Sequence, residues 1–136
     1  MYRRSINLAL ISLAFATVLG CGDSGPKLYS LKGVVTHNGK PVANLYLTFL
    51  PTDPAAQAPA SSSTDASGRF ELKVGAKGGV YPGKYIVTCS DPAAMMGGKS
   101  SDDPDYAVVV KKYAQGKSTY TMEVDKNNSN LELKLD

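Results

Sequence analysis

The chain reads as an all-β protein, a seven-stranded antiparallel β-sandwich behind an N-terminal export segment. Three observations predict this. From about residue 28 onward, apolar and polar residues alternate with a period of two, which places successive side chains on opposite faces of a strand. Asn-, Asp-, Gly- and Pro-rich turns separate these stretches, at intervals of roughly 8–15 residues, as in layered β proteins. No ten-residue stretch after the export segment shows a helical stripe of apolar positions.

Tyr29, Leu31, Gly33 and Val35 share one face of the first strand, with Ser30 and Lys32 opposite. Asn38-Gly39 then predicts a tight hairpin turn, whose two central positions need positive φ. Leu45, Leu47 and Phe49 alternate with Tyr46 and Thr48, and a weaker strand covers Ser61 to Thr64. Asp65-Ala66-Ser67-Gly68 reads as a turn into a strand where Phe70, Leu72 and Val74 oppose Arg69, Glu71 and Lys73. Pro82-Gly83 introduces Tyr85, Val87 and Cys89, opposed by Ile86 and Thr88. Tyr120, Met122 and Val124 oppose Thr119, Thr121 and Glu123; after a turn at Asn127 to Asn130, Leu131, Leu133 and Leu135 oppose Glu132 and Lys134. Val108 to Tyr113 fits either a short strand or a helical turn. One apolar face per strand predicts two antiparallel sheets packed face to face.

Composition bounds the function. At 136 residues the chain forms one domain with a core that needs no disulfide. Its net charge is +3, and without Arg3 and Arg4 the signs nearly balance at 13 basic against 12 acidic residues. Nucleic-acid binding through a broad basic face is therefore not expected. A single histidine excludes a His-rich metal cluster or a mechanism that needs two imidazoles.

The first twenty residues read as an address. Met1 to Ser5 is positively charged, Ile6 to Gly20 is mostly apolar, and Val18-Leu19-Gly20-Cys21 ends the run. The apolar stretch is short for a membrane span, which needs about 20 residues, and it has the layout of a secretory signal. Its end resembles the lipobox of bacterial lipoproteins. That resemblance implies cleavage between Gly20 and Cys21, acylation of the Cys21 thiol, and stable anchoring at the cell envelope through two or more acyl chains. Residues 21–27 then form the lipidated cysteine and a short polar linker, and 28–136 the folded domain. With Cys21 acylated, Cys89 is the remaining free thiol and is expected to pack as a small buried apolar residue.

Several ordered segments resemble a known family. They are Gly33-Val34-Val35, Asn38-Gly39-Lys40-Pro41-Val42, Leu47-Thr48-Phe49-Leu50-Pro51, Thr64-Asp65-Ala66-Ser67-Gly68-Arg69-Phe70 and Pro82-Gly83-Lys84-Tyr85-Ile86-Val87. Together, over about Leu28 to Leu135, they resemble carboxypeptidase regulatory-like domains, which are transthyretin-like, Ig-like Greek-key sandwiches, and above all small bacterial envelope lipoproteins that carry one such domain. Ala43-Asn44 stands where many relatives place a glycine. The resemblance implies an accessory or binding role. The catalytic domain of zinc carboxypeptidases is a separate unit, and the transthyretin-like hydrolases need several histidines and a Tyr-Arg-Gly-Ser ending where this chain has Leu133-Lys134-Leu135-Asp136.

The remaining candidates are few. His37, beside the Asn38-Gly39 turn, is expected to face solvent. Asp91 to Asp105 reads as a long loop, and such loops often carry recognition. Within it, Met95 and Met96 could form an adaptable apolar contact, and Asp102, Asp103 and Asp105 could supply oxygen ligands for Ca²⁺. Tyr46 and Tyr106 are candidates for stacking on a sugar ring. No serine sits in a nucleophile elbow, and no Gly-rich loop leads into a helix. The sequence thus points to no catalytic residues, no cofactor and no resident metal. It describes a lipid-anchored envelope module that meets a protein or polysaccharide partner, or alternatively binds a carbohydrate or Ca²⁺.

Overall fold

In the computed structural model, residues 25–136 are described; Gly20 and Cys21, with the expected cleavage and acylation site, lie outside them. The elements in chain order are β1 (Leu31–His37), β2 (Lys40–Pro41), β3 (Tyr46–Pro51), β4 (Ala60–Ser63), β5 (Arg69–Glu71), β6 (Lys73–Val74), β7 (Lys77–Gly78), β8 (Gly83–Ser90), α1 (Pro92–Met95), α2 (Pro104–Lys112), β9 (Thr121–Val124) and β10 (Asn128–Lys134). The protein is mostly β, in two open sheets that are mainly antiparallel, an arrangement consistent with a β-sandwich.

Three features differ from the sequence-based expectation. There are ten strands among the described residues, in place of seven. The excess comes from two-residue strands and from the split of one predicted strand. Arg69 to Val74 leaves the first sheet at Leu72: β5 pairs with β1, while Lys73 of β6 pairs with Ser61 of β4. Pairing is also not antiparallel throughout, because β10 runs parallel to β1. Finally, two helices form where no helical stripe was expected.

In the first sheet β1 is central. β10 lies along one side, and β5 followed by β2 lies along the other. The second sheet runs β7-β6-β4-β3-β8-β9. The alternating faces meet as predicted: Leu31 and Val35 of β1, Leu47 and Phe49 of β3, Tyr85 and Val87 of β8, and Leu133 of β10 all belong to one buried cluster. Burial of large apolar side chains is the main drive for this arrangement, at roughly 1.5–3 kcal/mol each before chain entropy is subtracted. Among the described residues every buried apolar side chain lies between Leu31 and Leu135, and no buried side-chain nitrogen or oxygen lacks a partner. Residues 25–136 thus share one buried apolar cluster.

The turns follow from residue chemistry. Asn38 and Gly39 take φ of 50° and 76°, the left-handed pair that joins β1 to β2 with the strand twist. Asp65 accepts from the backbone amides of Ser67 and Arg69 at 2.8 and 2.9 Å, closing the turn before β5. Asn44 takes φ 57°, a left-handed conformation that asparagine tolerates better than most other side chains.

Helix α2 accounts for the ambiguous segment. Asp103 caps its start by accepting from the amide of Asp105 at 2.9 Å, Pro104 occupies the first turn, and Lys111 and Lys112 sit in the last. Tyr106, Val109 and Tyr113 are buried and Val110 packs against the core, which is helical spacing. The helix then delivers Tyr113, whose carbonyl accepts from Cys89 at 2.7 Å, while Tyr120 accepts from Val87 at 2.8 Å. These bonds continue the edge of β8 beyond the end of β9.

One close approach governs the first sheet. A Cβ placed on Gly33 would lie 1.8 Å from the Leu131 carbonyl oxygen, at the point where the β1–β10 register shifts. Gly33→Ala must push β10 away from β1. It is expected to cost about 3 kcal/mol, at the upper end for overpacked interiors, whereas Gly78→Ala, with open space around it, costs far less. Urea unfolding of both variants checks this; equal midpoints would contradict the contact.

Candidate functional site

Three places in the fold gather residues suited to chemistry or binding. The first is the end of β1. His37 is buried, not solvent-facing, and its Nδ1 is hydrogen-bonded to the Leu135 carbonyl. The reason is the parallel partner: β10 continues past the hairpin, and Leu135 donates its amide to Thr36 at 2.8 Å. Around it, Asn38 donates its amide to the Asp136 carboxylate at 2.7 Å, and the Tyr113 hydroxyl donates to the Asp136 carbonyl at 2.7 Å. Lys112 bonds to the same carbonyl. This imidazole is a structural clamp between β1 and β10.

The second place is the segment from Asp91 to Asp105. It is shorter as a loop than expected, because α1 follows Asp91 directly and α2 begins at Pro104. Asp91 accepts from the Ala93 amide at 2.9 Å. A hydrogen bond from Ser100, aided by the amides of α1, holds its carboxyl below the ordinary 3.8. Asp102 pairs with Lys99 at 2.8 Å, Asp103 caps α2, and Asp105 lies 4.0 Å from Lys40. These three carboxylates thus have separate duties. Among the described residues no group of three or more His, Cys, Asp or Glu side chains could hold a metal ion, so the Ca²⁺ expectation gains no support.

Met95 and Met96 stand out in that segment. They end α1 with 75% and 87% of their surface exposed, next to a domain whose other large apolar side chains are mostly buried. The helix that carries them has no buried residue. Exposed unbranched thioethers are well suited to an adaptable contact with a partner surface.

The third place was not legible in the sequence. An open groove of about 1090 Å³ lies where the chain crosses from β5 to β6, with Lys32, Ser62, Arg69, Glu71, Lys73 and Glu132 among its lining. Ser62 accepts from the Glu71 amide at 3.1 Å, and Lys32 pairs with Glu71 at 3.1 Å. In the sequence these residues are scattered over segments far apart. The split of the Arg69–Val74 strand is what brings them together.

The two tyrosine candidates separate. Tyr46 is exposed, with its hydroxyl 3.0 Å from Ser61. Tyr106 is not available to a sugar: it is buried under α2 and donates to the Asn44 carbonyl at 2.9 Å. Cys89 is buried, as expected, in a strand pair with Leu47. Among the described residues no helix is long and apolar enough to cross a membrane.

Burial sets the titration of the core. It pushes the Cys89 thiol from its ordinary 9.0 up to about 12. Tyr85 rises from 10.0 to about 12, first through burial and then through Asp53. Tyr106 also rises to about 12, through burial and then Asp91. In the unfolded chain these groups lose their protons at ordinary values, whereas the folded chain retains them. The folded state therefore binds more protons between about pH 9 and 12, and stability falls as pH rises through that window. Below it the groups are protonated in both states and contribute no slope. The urea midpoint is expected to drop across this window, and Cys89→Ala is expected to delay the onset toward the tyrosine range. Wild type and variant falling in parallel would contradict the thiol's part. Cys89 should also resist alkylation at neutral pH until urea unfolds the chain. No family model, no curated protein and no solved structure matches this chain.

Proposed function

We propose that this chain is a non-catalytic, lipid-anchored module of the bacterial cell envelope, built on a carboxypeptidase regulatory-like β-sandwich. Acyl chains on Cys21 would hold it to the membrane, and α1 would meet a protein partner. The observation that carries this reading is the exposed Met95–Met96 pair at the end of an otherwise well-buried domain. Methionines have an apolar, polarizable surface that adapts to a partner without strict geometry.

Two further features support the reading. Tyr85 donates its hydroxyl to the Tyr81 carbonyl at 2.8 Å, across Pro82-Gly83, and its ring centroid lies 6.0 Å from that of Phe49. A tyrosine that ties the start of a strand back to the preceding backbone is a recurring brace of Greek-key sandwiches. The imidazole of His37 and the thiol of Cys89 are both enclosed by the fold, which favours a binding role over one that needs either as base or nucleophile. A second reading, a small polar ligand such as a saccharide, is favoured by the groove beside β5 with its hydroxyl and charged lining.

Photo-crosslinkers placed in whole cells at Met96 and, as a control, at Lys117 separate these readings. A single protein adduct from position 96, absent at 117 and lost with Met95→Ser, is the expected outcome. Identical adducts from both positions would sink the contact surface. Saturable sugar binding abolished by Arg69→Ala would favour the second reading. Cys21→Ser should move the chain from the membrane to the soluble fraction.

A further inference from the structure

We infer that the end of the domain at which the described chain begins rests on anionic phospholipid headgroups, with Lys27 and Lys77 as its contacts. The inference builds on the attachment through Cys21 proposed above. Three residues, Gly22 to Ser24, separate Cys21 from Gly25, so the four steps reach roughly 14 Å when extended. An acylated Cys21 therefore keeps this end close to the bilayer.

The surface at that end suits such a neighbour. Tyr29 and Val80 exchange backbone hydrogen bonds of 2.8 Å, which lays the first described residues against the β6–β7 hairpin. A cleft of about 620 Å³ results, lined by Gly25, Pro26, Lys27, Leu28, Lys77 and Tyr81. The sequence contains no Asp or Glu from Ser24 to Thr52, or from Leu72 to Ser90. These are the two stretches that meet here. Lys73 sits on the same hairpin, opposite Gly78. None of Lys27, Lys73 or Lys77 is in an ion pair among the described residues. Of the acids nearby, Asp53 accepts from the Ala55 amide, Glu123 lies opposite Lys84, Asp125 adjoins Lys126, and Asp23 precedes Gly25 by two residues.

Charge also orients the molecule. β8 carries the chain away from this end over the eight residues from Gly83 to Ser90, a rise of roughly 25 Å. Asp91, Asp102, Asp103 and Asp105 lie beyond it, together with α1. An anionic leaflet attracts juxtamembrane lysines within about a Debye length and repels that acidic end. Long lysine stems let the charges reach phosphate while the backbone stays above it. Docking in this pose points Met95 and Met96 away from the bilayer, toward a partner.

The test couples residues 21–136 through Cys21 to a maleimide lipid in phosphatidylcholine vesicles, with or without phosphatidylglycerol. Buried Cys89 leaves Cys21 as the reactive thiol. Lysine acylation by a charged ester is then read residue by residue by mass spectrometry. Lys27 and Lys77 should react several-fold more slowly on the anionic vesicles, with Lys99 and Lys117 unchanged, and high salt should erase the difference. Equal rates for Lys27 and Lys77 on the two compositions would overturn the inference. A free Cys21 thiol in the native cellular product would instead overturn the anchor, without altering the vesicle result.

Discussion

The parallel contact of β10 with β1 is the constraint on which the rest of the structure depends. It is possible because Gly33 has no side chain where the Leu131 carbonyl comes close. Once β10 lies in that register, Leu133 and Leu135 enter the core. The chain end then reaches the β1–β2 hairpin, where it encloses His37 and receives bonds from Asn38, Lys112 and Tyr113. A strand added late in the sequence thus closes one side of the first strand and also fixes the end of α2. Long-range pairing of this kind has no local sequence signal, because it depends on two segments almost a hundred residues apart.

Helix α2 solves a different problem. β9 pairs with only the first half of β8, from Gly83 to Ile86, so the second half would present unpaired amides. The carbonyls of Tyr113 and Tyr120 take those bonds, and the stripe of Tyr106, Val109 and Tyr113 covers the strand's end. An uncovered strand edge invites pairing with another chain. Here the helix and the segment after it do the covering, which leaves Met95 and Met96 at the end of α1, with Val108 of α2, as exposed apolar side chains.

The proposed division of labour follows from this geometry. One end of the domain holds the first described residues with Lys27, Lys73 and Lys77. The other holds the methionine pair, among capped and ion-paired carboxylates. Between them, three polar side chains brace the fold: His37 in the β1–β10 clamp, Tyr85 across Pro82-Gly83, and Thr64 between Val42 and Leu45.

Period-two alternation was enough to identify the all-β class, because burial on one face of a strand is a local property of every second side chain. Turn chemistry at Asn38-Gly39 and Asp65–Gly68 was legible for the same reason: each turn is made by its own residues. Burial of Cys89 was also legible from local pattern. Local pattern falls short where a distant segment decides the outcome. Val108 to Tyr113 has β-branched residues that suit either state, and the cap at Asp103-Pro104 together with a receptive core surface settles it as helix. His37 looked like a turn residue until β10 lay beside it, and Tyr106 looked exposed until α2 turned it inward. Local sequence thus determined which residues seek the interior and where the chain can bend. Tertiary structure alone decided which strands lie side by side, since a backbone hydrogen bond is the same whichever segment supplies it.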